Sequence, residues 1–320
     1  MSPPGRPKGE YRSAQHEGTP VSAAQPLLSG FEAWDAGRYL AEYYERVEAD
    51  EAATLGFITK ACGRISSPGR ALVFGNGPTV HHLLPLAPHV REIHVADYLE
   101  SNLDHVRRWL RRDARAHDWR AFGRHVLACE GVRSPSEQQI GQRERMVRSR
   151  VTRCLHGNAG LKSPLSTPGL GCYDVVVSCY CAESATGDQS VWRRYMHNIL
   201  SLLAPGGLFV TAALRRCCAY HVGPKRFACA DIDELDLAGV LFDSGVEPRH
   251  LQLEVQRVGL HERLGYDSIV LAAATVPAAA AGPTRRTRFS HERSAEHALG
   301  HSPPLVDDLS GLPASLRLTS

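Results

Sequence analysis

The sequence predicts a doubly wound α/β domain around a mainly parallel sheet, and three observations carry the prediction. An apolar run at residues 71–74 empties into the turn Gly75-Asn76-Gly77-Pro78-Thr79, as where a parallel strand hands over to a helix. Residues 175–179 (VVVSC) form a continuous, nearly apolar run, as in a strand buried on both faces. Around these runs strand-like and helix-like patterns alternate, the order that crossover connections between parallel strands require.

In chain order, residues 1–28 mix Pro, Gly, Ser, Gln and charge and predict a flexible leader. Phe31, Trp34, Tyr39, Tyr43, Tyr44 and Val47 then recur at roughly helical spacings. The pattern continues through EADEAATLGFITKACGRI until Ser66-Ser67-Pro68-Gly69 stops it, giving an N-terminal helical cap. After the strand at 71–74 a helix is expected from about Thr79, followed by a strand at 92–96 ending at Asp97 and a helix over 101–112. The basic insert at 130–153 contains SEQQIGQRERMVRSRVTRCL, which predicts a further helix. Its Arg148, Arg150 and Arg153 read as a solvated charged face or as a basic patch. Beyond the strand at 175–179 come a helix over 191–203, a stop at Pro205-Gly206-Gly207 and a strand at 208–213. FACADIDELDLAGVLFDSG reads as a helix with Asp231 or Asp233 near its start. The late strands, 251–258 and 268–273, are joined by the hairpin-like GLHERLGY, which puts an antiparallel edge on the sheet. The folded domain is thus expected over 29–275, with a flexible tail over 276–320.

A chain of 320 residues buries a sufficient core without disulfides or metals. Its 37 basic and 34 acidic residues leave a net charge of +3, which calls for neither a nucleic-acid nor a membrane partner. Among the basic residues only Lys8, Lys60, Lys162 and Lys225 are lysine, an arginine bias that points by association to a high-GC bacterium and to specialised metabolism. The nine cysteines are scattered without zinc-site spacing, so a reducing compartment and no metal are expected. MSPPGRPKGEYRS lacks an apolar core and no eighteen-residue apolar window follows, so a cytoplasmic protein is expected. Oligomeric state is not legible.

The strongest chemical signal is VFGNGPT at 73–79, with Asp97 at a strand end twenty residues after Gly77. Glycines let a ligand approach the backbone, and a carboxylate can accept hydrogen bonds from both ribose hydroxyls. A tight turn with a capping aspartate is the alternative. Pro78 stands where a pyrophosphate-binding helix would begin, and no GxxxxGK[ST] is present, so NAD and ATP are disfavoured. S-adenosylmethionine, a nucleoside and an amino acid without phosphate, suits the site better.

The chain resembles the small-molecule N-methyltransferases that include nicotinamide, phenylethanolamine and indolethylamine N-methyltransferases. The resemblance lies in YLAEYY (39–44), FGNGPTVHHLL (74–84), VADY (95–98) with Asn102, DW (118–119), SCYCAESA (178–185) and LLAPGGLFVTAAL (202–214). It spans roughly 31–275, and the ordered set is specific although each piece alone is weak. It implies a class I methyltransferase fold: a Rossmann-like, seven-stranded, mainly parallel sheet with an antiparallel edge strand. It also implies S-adenosylmethionine as cofactor, S-adenosylhomocysteine as product and a small aromatic or heteroaromatic substrate.

By the same resemblance Tyr39, Tyr44, Gly75, Asn76, Gly77 and Thr79 hold the cofactor, Asp97 receives its ribose hydroxyls, Tyr98 lies against adenine and Asn102 approaches the ribose or methionyl portion. Packing of the N-terminal helix is the other role open to Tyr39 and Tyr44. Relatives usually carry an acidic residue on the adenine side where this chain reads RCLHG, so Cys154, Leu155 and His156 form an altered wall. Ser178 and Tyr180 face the transferred methyl, and Tyr39 also borders the substrate. Glu183 matches an acid that orients an amine and could accept its proton, with Tyr44 or Tyr180 shaping the approach. A helix-capping or surface carboxylate is the alternative for Glu183. Tyr220 matches a position that packs on the substrate ring, and His261 and Glu262 are late-loop candidates for the acidic binding group. Nicotinamide methyltransferases carry an aspartate after the PGG strand, whereas this chain has Thr211-Ala212-Ala213-Leu214, so nicotinamide is a poor substrate candidate.

The expected chemistry is methyl transfer to a nitrogen or an electron-rich carbon, with indole or tryptophan-derived compounds as candidates and residues 1–44 as a closing lid. An arylalkylamine N-methyltransferase, a noncatalytic cofactor-binding regulator and an RNA methyltransferase remain alternatives. The last would draw on Arg107-Arg108, Arg111-Arg112 and the cluster at 148–153.

Overall fold

The computed structural model describes residues 27–28, 30–167, 170, 172–260 and 265–277. The leader through residue 26, the tail beyond 277, and His261 and Glu262 lie outside these residues. The chain runs β1 (Leu27–Leu28), α1 (Ala36–Tyr43), α2 (Ala49–Cys62), β2 (Arg70–Phe74), α3 (Leu83–Leu86), β3 (Glu92–Asp97), α4 (Glu100–Leu110), α5 (Arg120–Cys129), α6 (Glu137–Arg150) and β4 (Val151–His156). It continues β5 (Tyr173–Cys179), α7 (Gln189–Leu200), β6 (Leu203–Arg215), β7 (Ala219–Val222), β8 (Lys225–Ala228), α8 (Glu234–Asp243), β9 (Leu251–Arg257) and β10 (Ser268–Thr275).

Side chains on the central strands alternate between two apolar layers, as the two-residue period of a strand dictates. Val73, Val175, Val177 and Val210 pack in one layer with Leu55 of α2, Val106 of α4 and Phe122 of α5. Leu72, Val176 and Phe209 pack in the other with Trp192 and Ile199 of α7 and Leu237 of α8. Burial of each such side chain contributes about 1.5–3 kcal/mol. The seven strands lie in the order β4-β3-β2-β5-β6-β10-β9. β2 pairs in parallel with β3 and β5, and β10 runs antiparallel to both β6 and β9. The reversed strand is therefore last but one, and β9 forms the edge. From β2 the chain winds outward through β3 and β4, then returns to β5 on the other side. That reversal opens a crevice at the carboxyl ends of β2 and β5.

Several sequence expectations are corrected. The helical cap is two helices, with α1 starting at an Asp35 side chain that accepts the Arg38 amide. The helix expected from Thr79 shrinks to α3 and a 3-10 turn at Ala87–His89, because Pro85 and Pro88 cannot donate to a helix ladder. The insert helix stops at Arg150, and β-branched Val151 and Thr152 open strand β4. α7 ends at Leu200, and the Pro-Gly-Gly segment lies inside β6, where the register against β5 jumps from Leu203 to Leu208. The helix read from Phe227 starts only at its Asp233 cap, since Phe227 and Ala228 belong to a β7–β8 hairpin. The expected flexible leader ends in a strand, with Leu27 and Leu28 pairing with Arg226 and Phe227.

Candidate active site

Elements ending at the crevice enclose a cavity of about 510 Å³, within the range of small-molecule sites. At its β2 end, Gly75 and Gly77 adopt φ of 65° and 64°, the left-handed region that glycine enters without Cβ strain. The Gly75 and Asn76 amides both donate to the Ala96 carbonyl. Thr79 Oγ1 donates to the Asn76 carbonyl at 2.7 Å, and Asn76 Nδ2 donates to the Thr79 carbonyl at 2.5 Å. The turn is held by its own side chains.

Asp97, at the end of β3, is buried and accepts three hydrogen bonds: from the Gly77 amide (2.7 Å), the Leu99 amide (2.9 Å) and Asn102 Nδ2 (3.0 Å). Burial raises its pKa and the three donors oppose the rise. Asn102 Oδ1 in turn accepts Trp34 Nε1–H at 2.8 Å. The helical cap, the glycine turn and the β3 carboxylate are therefore one connected unit.

The cap supplies aromatic walls. Tyr39 lies 4.8 Å from Trp34, 4.9 Å from Tyr43 and 5.4 Å from Tyr44, centroid to centroid, and its hydroxyl is 3.2 Å from that of Tyr44. Burial raises both phenols above their ordinary range, so they serve as hydrogen-bonding groups and not as bases. Tyr180, at the end of β5, has φ of 52°, a conformation costly for a residue with a Cβ and frequent at functional sites. Its hydroxyl is 2.6 Å from Thr54 Oγ1 on α2. Tyr220 on β7 stacks on Phe227 at 5.4 Å and donates to the Ser184 carbonyl at 3.2 Å.

Of the residues expected from the sequence, Tyr39, Tyr44, Gly75, Asn76, Gly77, Thr79, Asp97, Tyr98, Asn102, Tyr180 and Tyr220 line the cavity. Tyr98 is 53% exposed and lies 5.5 Å from the His156 ring. Leu155 and His156 are off the lining; Gly157, Asn158, Ala159 and Gly160 form that wall. Strand β4 ends at His156, and the chain crosses the crevice only after it. Ser178 and Glu183 are also off the lining. Glu183 is buried, accepts the Leu214 amide at 3.2 Å, and is pushed up to about 7 by burial. The 3-10 turn at Glu183–Ala185 presents Ser184 and Ala185 to the cavity and turns the carboxyl toward β6.

The sequence reading missed the opposite wall. Asp50, Glu51, His82 and Tyr266 line it, and Tyr266 donates to Asp50 Oδ2 at 2.5 Å. Burial and the charge of Glu51 raise Asp50 to about 6. Burial also disfavours the charge of Glu51, but His81, at 2.8 Å, and His82, at 3.5 Å, hold it below its ordinary range. His81 is itself lowered to about 4, chiefly by burial. Near neutral pH an ionised Glu51 thus accepts Nε2–H from a neutral His81. The adjacent acids in EADEAA and the paired histidines after the glycine turn were the available signal.

The donor set fits a phosphate-free nucleoside bearing an amino acid. Asp97 offers a carboxylate at the nucleoside end, while Asn76 Oδ1 is a buried polar atom without a hydrogen-bond partner among the described residues. Outside the cavity, two of the arginines considered for nucleic acid are engaged within the protein: Arg107 pairs with Glu100 and Asp104, and Arg148 lies 3.7 Å over the Trp109 ring while bonding Glu144. Among the described residues no helix is long and apolar enough to cross a membrane.

The chain is 34% identical over 215 residues to phenylethanolamine N-methyltransferase of Sus scrofa, covering 66% of this chain and 73% of that one. It is 31% identical over 173 residues to indolethylamine N-methyltransferase of Mus musculus, covering 54% and 64%. Among solved structures, the N-methyltransferase NodS from Bradyrhizobium japonicum WM9 with S-adenosyl-l-homocysteine aligns at TM-score 0.44 and 15% identity, covering 76% of this chain and 96% of that one. The NNMT/PNMT/TEMT family model matches residues 28–274, which take in the seven-stranded sheet to within the last residue of β10, its helices and the residues lining the cavity. The chain therefore belongs to the NNMT/PNMT/TEMT family and is an S-adenosylmethionine-dependent small-molecule methyltransferase.

Proposed function

We propose that the protein N-methylates a small aromatic amine of the arylalkylamine class, indole-bearing amines included. The observation that carries this reading is the continuity of the cavity, from the Asp97 and glycine-turn end to a chamber walled by tyrosines and closed by carboxyls. The names of the phenylethanolamine and indolethylamine relatives support an amine acceptor.

S-adenosylmethionine, when bound, supplies an activated methyl group on a sulfonium, so the protein's task is alignment and control of charge. Asp97, Gly75, Gly77, Asn76 and Thr79 would hold it, with Tyr39 and Tyr44 beside them. Tyr180 and Tyr220 confine the aromatic acceptor, and the cap excludes water from between the two. An acceptor amine must lose a proton to expose its lone pair; Asp50 and Glu51 line the cavity, whereas Glu183 is off the lining and accepts the Leu214 amide. Nicotinamide remains disfavoured, because Thr211 occupies the region after the PGG segment and commits its hydroxyl to the Ser178 carbonyl at 2.6 Å.

The test is calorimetry with S-adenosylmethionine and S-adenosylhomocysteine, with Asp97→Ala as control. It is followed by a labelled-methyl transfer screen of phenylethylamines, tryptamines, indoles and arylamines. Cofactor binding lost in the control, with transfer to amine nitrogen, is expected. A folded protein that binds neither compound would overturn the reading, and transfer to ring carbon would replace it with the C-methylation alternative.

A further inference from the structure

We propose that Asp50 is the binding site for the ammonium group of the acceptor, so that the substrate enters as a protonated arylalkylamine with its cation toward α2 and its ring among the tyrosines. The inference rests on the reading above for the reaction, and on the cavity alone for the binding.

Asp50 is 5% exposed and lies on the cavity wall. Its carboxylate receives only neutral donors: the Tyr266 hydroxyl on Oδ2 and the Glu51 amide on Oδ1 at 2.8 Å. Among the described residues no Lys, Arg or His pairs with it, and its principal charged neighbour is another carboxylate, Glu51. A buried carboxylate without a cation is costly, and more so beside a like charge. Glu51 is accounted for by His81 and His82, and Glu48 pairs with Arg46 at 2.6 Å. Asp50, like Asp97 and Glu183, has no cationic side chain paired with it among the described residues, and only its place in the first turn of α2 offsets its charge.

The surroundings suit a cation. Tyr43, Tyr180 and Tyr266 line the same chamber, and aromatic faces attract ammonium groups. Tyr180 is fixed there by its Thr54 contact and its left-handed backbone. His82, 4% exposed, lines the same cavity, its Nε2 3.5 Å from Glu51 Oε2. The groups facing this wall are Glu48 and Glu51 at the start of α2, His81 and His82 after the glycine turn, Tyr180 after β5 and Tyr266 before β10, and none is a fixed cation.

The experiment titrates the full chain calorimetrically with 2-phenylethylamine and with its neutral counterpart 2-phenylethanol. Wild type, Asp50→Asn and Glu183→Gln are compared, with S-adenosylhomocysteine binding measured in parallel. The wild type is expected to bind the amine about 10- to 100-fold more tightly than the alcohol, the span of a charge-assisted hydrogen bond. Asp50→Asn should lose that preference and keep S-adenosylhomocysteine, while Glu183→Gln should keep both. Equal binding of amine and alcohol by the wild type, a preference that survives Asp50→Asn, or one lost only in Glu183→Gln overturns the proposal. Should Asp50→Asn fail to fold, Asp50→Ser is the second variant, and an amine preference that survives it overturns the proposal. Amine preference without S-adenosylhomocysteine binding would remove the methyltransferase reading and leave the ammonium site standing.

Discussion

Replacing Glu183 by Gln tests whether this carboxyl is part of the wall's packing or of its chemistry. Glu183 is 3% exposed, and burial raises its pKa from 4.5 to about 7. A tenfold change in an ionisation constant corresponds to about 1.4 kcal/mol, so the ionised folded state is disfavoured by about 3 kcal/mol relative to the unfolded chain. The sign follows from which state holds the proton. Below pH 4.5 both states are protonated and nothing is lost; between 4.5 and about 7 the unfolded chain ionises first; above 7 the full cost is present. Stability attributable to this group therefore falls as pH rises through that window. Glutamine can still accept the Leu214 amide but carries no charge, so the stability of Glu183→Gln relative to wild type should rise by about 3 kcal/mol between pH 4.5 and 8. Urea denaturation of both proteins across this range measures it. A difference that stays constant with pH would refute the reasoning. The same pair of proteins tests the chemistry: turnover within a few-fold of wild type is expected if the carboxyl only packs against β6.

Gly75→Ala should destabilise the protein by about 2–4 kcal/mol, because φ is 65° and the new Cβ would lie 1.9 Å from Cys181 Sγ. Adding Cys181→Ala should rescue only part of that loss in urea unfolding, since the Cys181 Cβ would still be 2.6 Å away; full rescue would exclude a backbone contribution. Asp97→Asn turns an acceptor of three hydrogen bonds into a group whose NH₂ must face a donor. Calorimetry should show S-adenosylhomocysteine binding weakened about 10- to 100-fold, and unchanged affinity would remove Asp97 from the cofactor site. Asp233→Ala removes a side chain that accepts the Leu235 and Asp236 amides at 2.9 and 3.1 Å; a loss of about 1 kcal/mol is expected in thermal unfolding, and a neutral result would mean that the α8 cap is dispensable.

The core of the fold and the nucleoside end of the site are local in sequence, and that is why they could be read. A continuous apolar strand, a glycine turn that needs positive φ, and an aspartate one strand later each depend on neighbours within about twenty residues. The Gly77 amide and the Asp97 carboxylate do meet, at 2.7 Å across 20 positions. Tyr39 and Tyr44 share one short stretch and meet in the cavity for the same reason. The β7–β8 hairpin and the start of β4 were less legible, because short strands in charged stretches leave weak patterns and pairing decides them.

The acidic wall belongs to tertiary structure alone. Asp50 meets Tyr266 across 216 positions, and Glu51 meets His81 across 30; in the sequence these acids look like the first turn of a solvated helix. Glu183 is the converse case: its position within SCYCAESA suggested a residue facing the substrate, but one turn of 3-10 helix directs its carboxyl to the Leu214 amide. Local pattern sets which element a residue joins, whereas the direction of a side chain and the charges that face it depend on how distant elements pack.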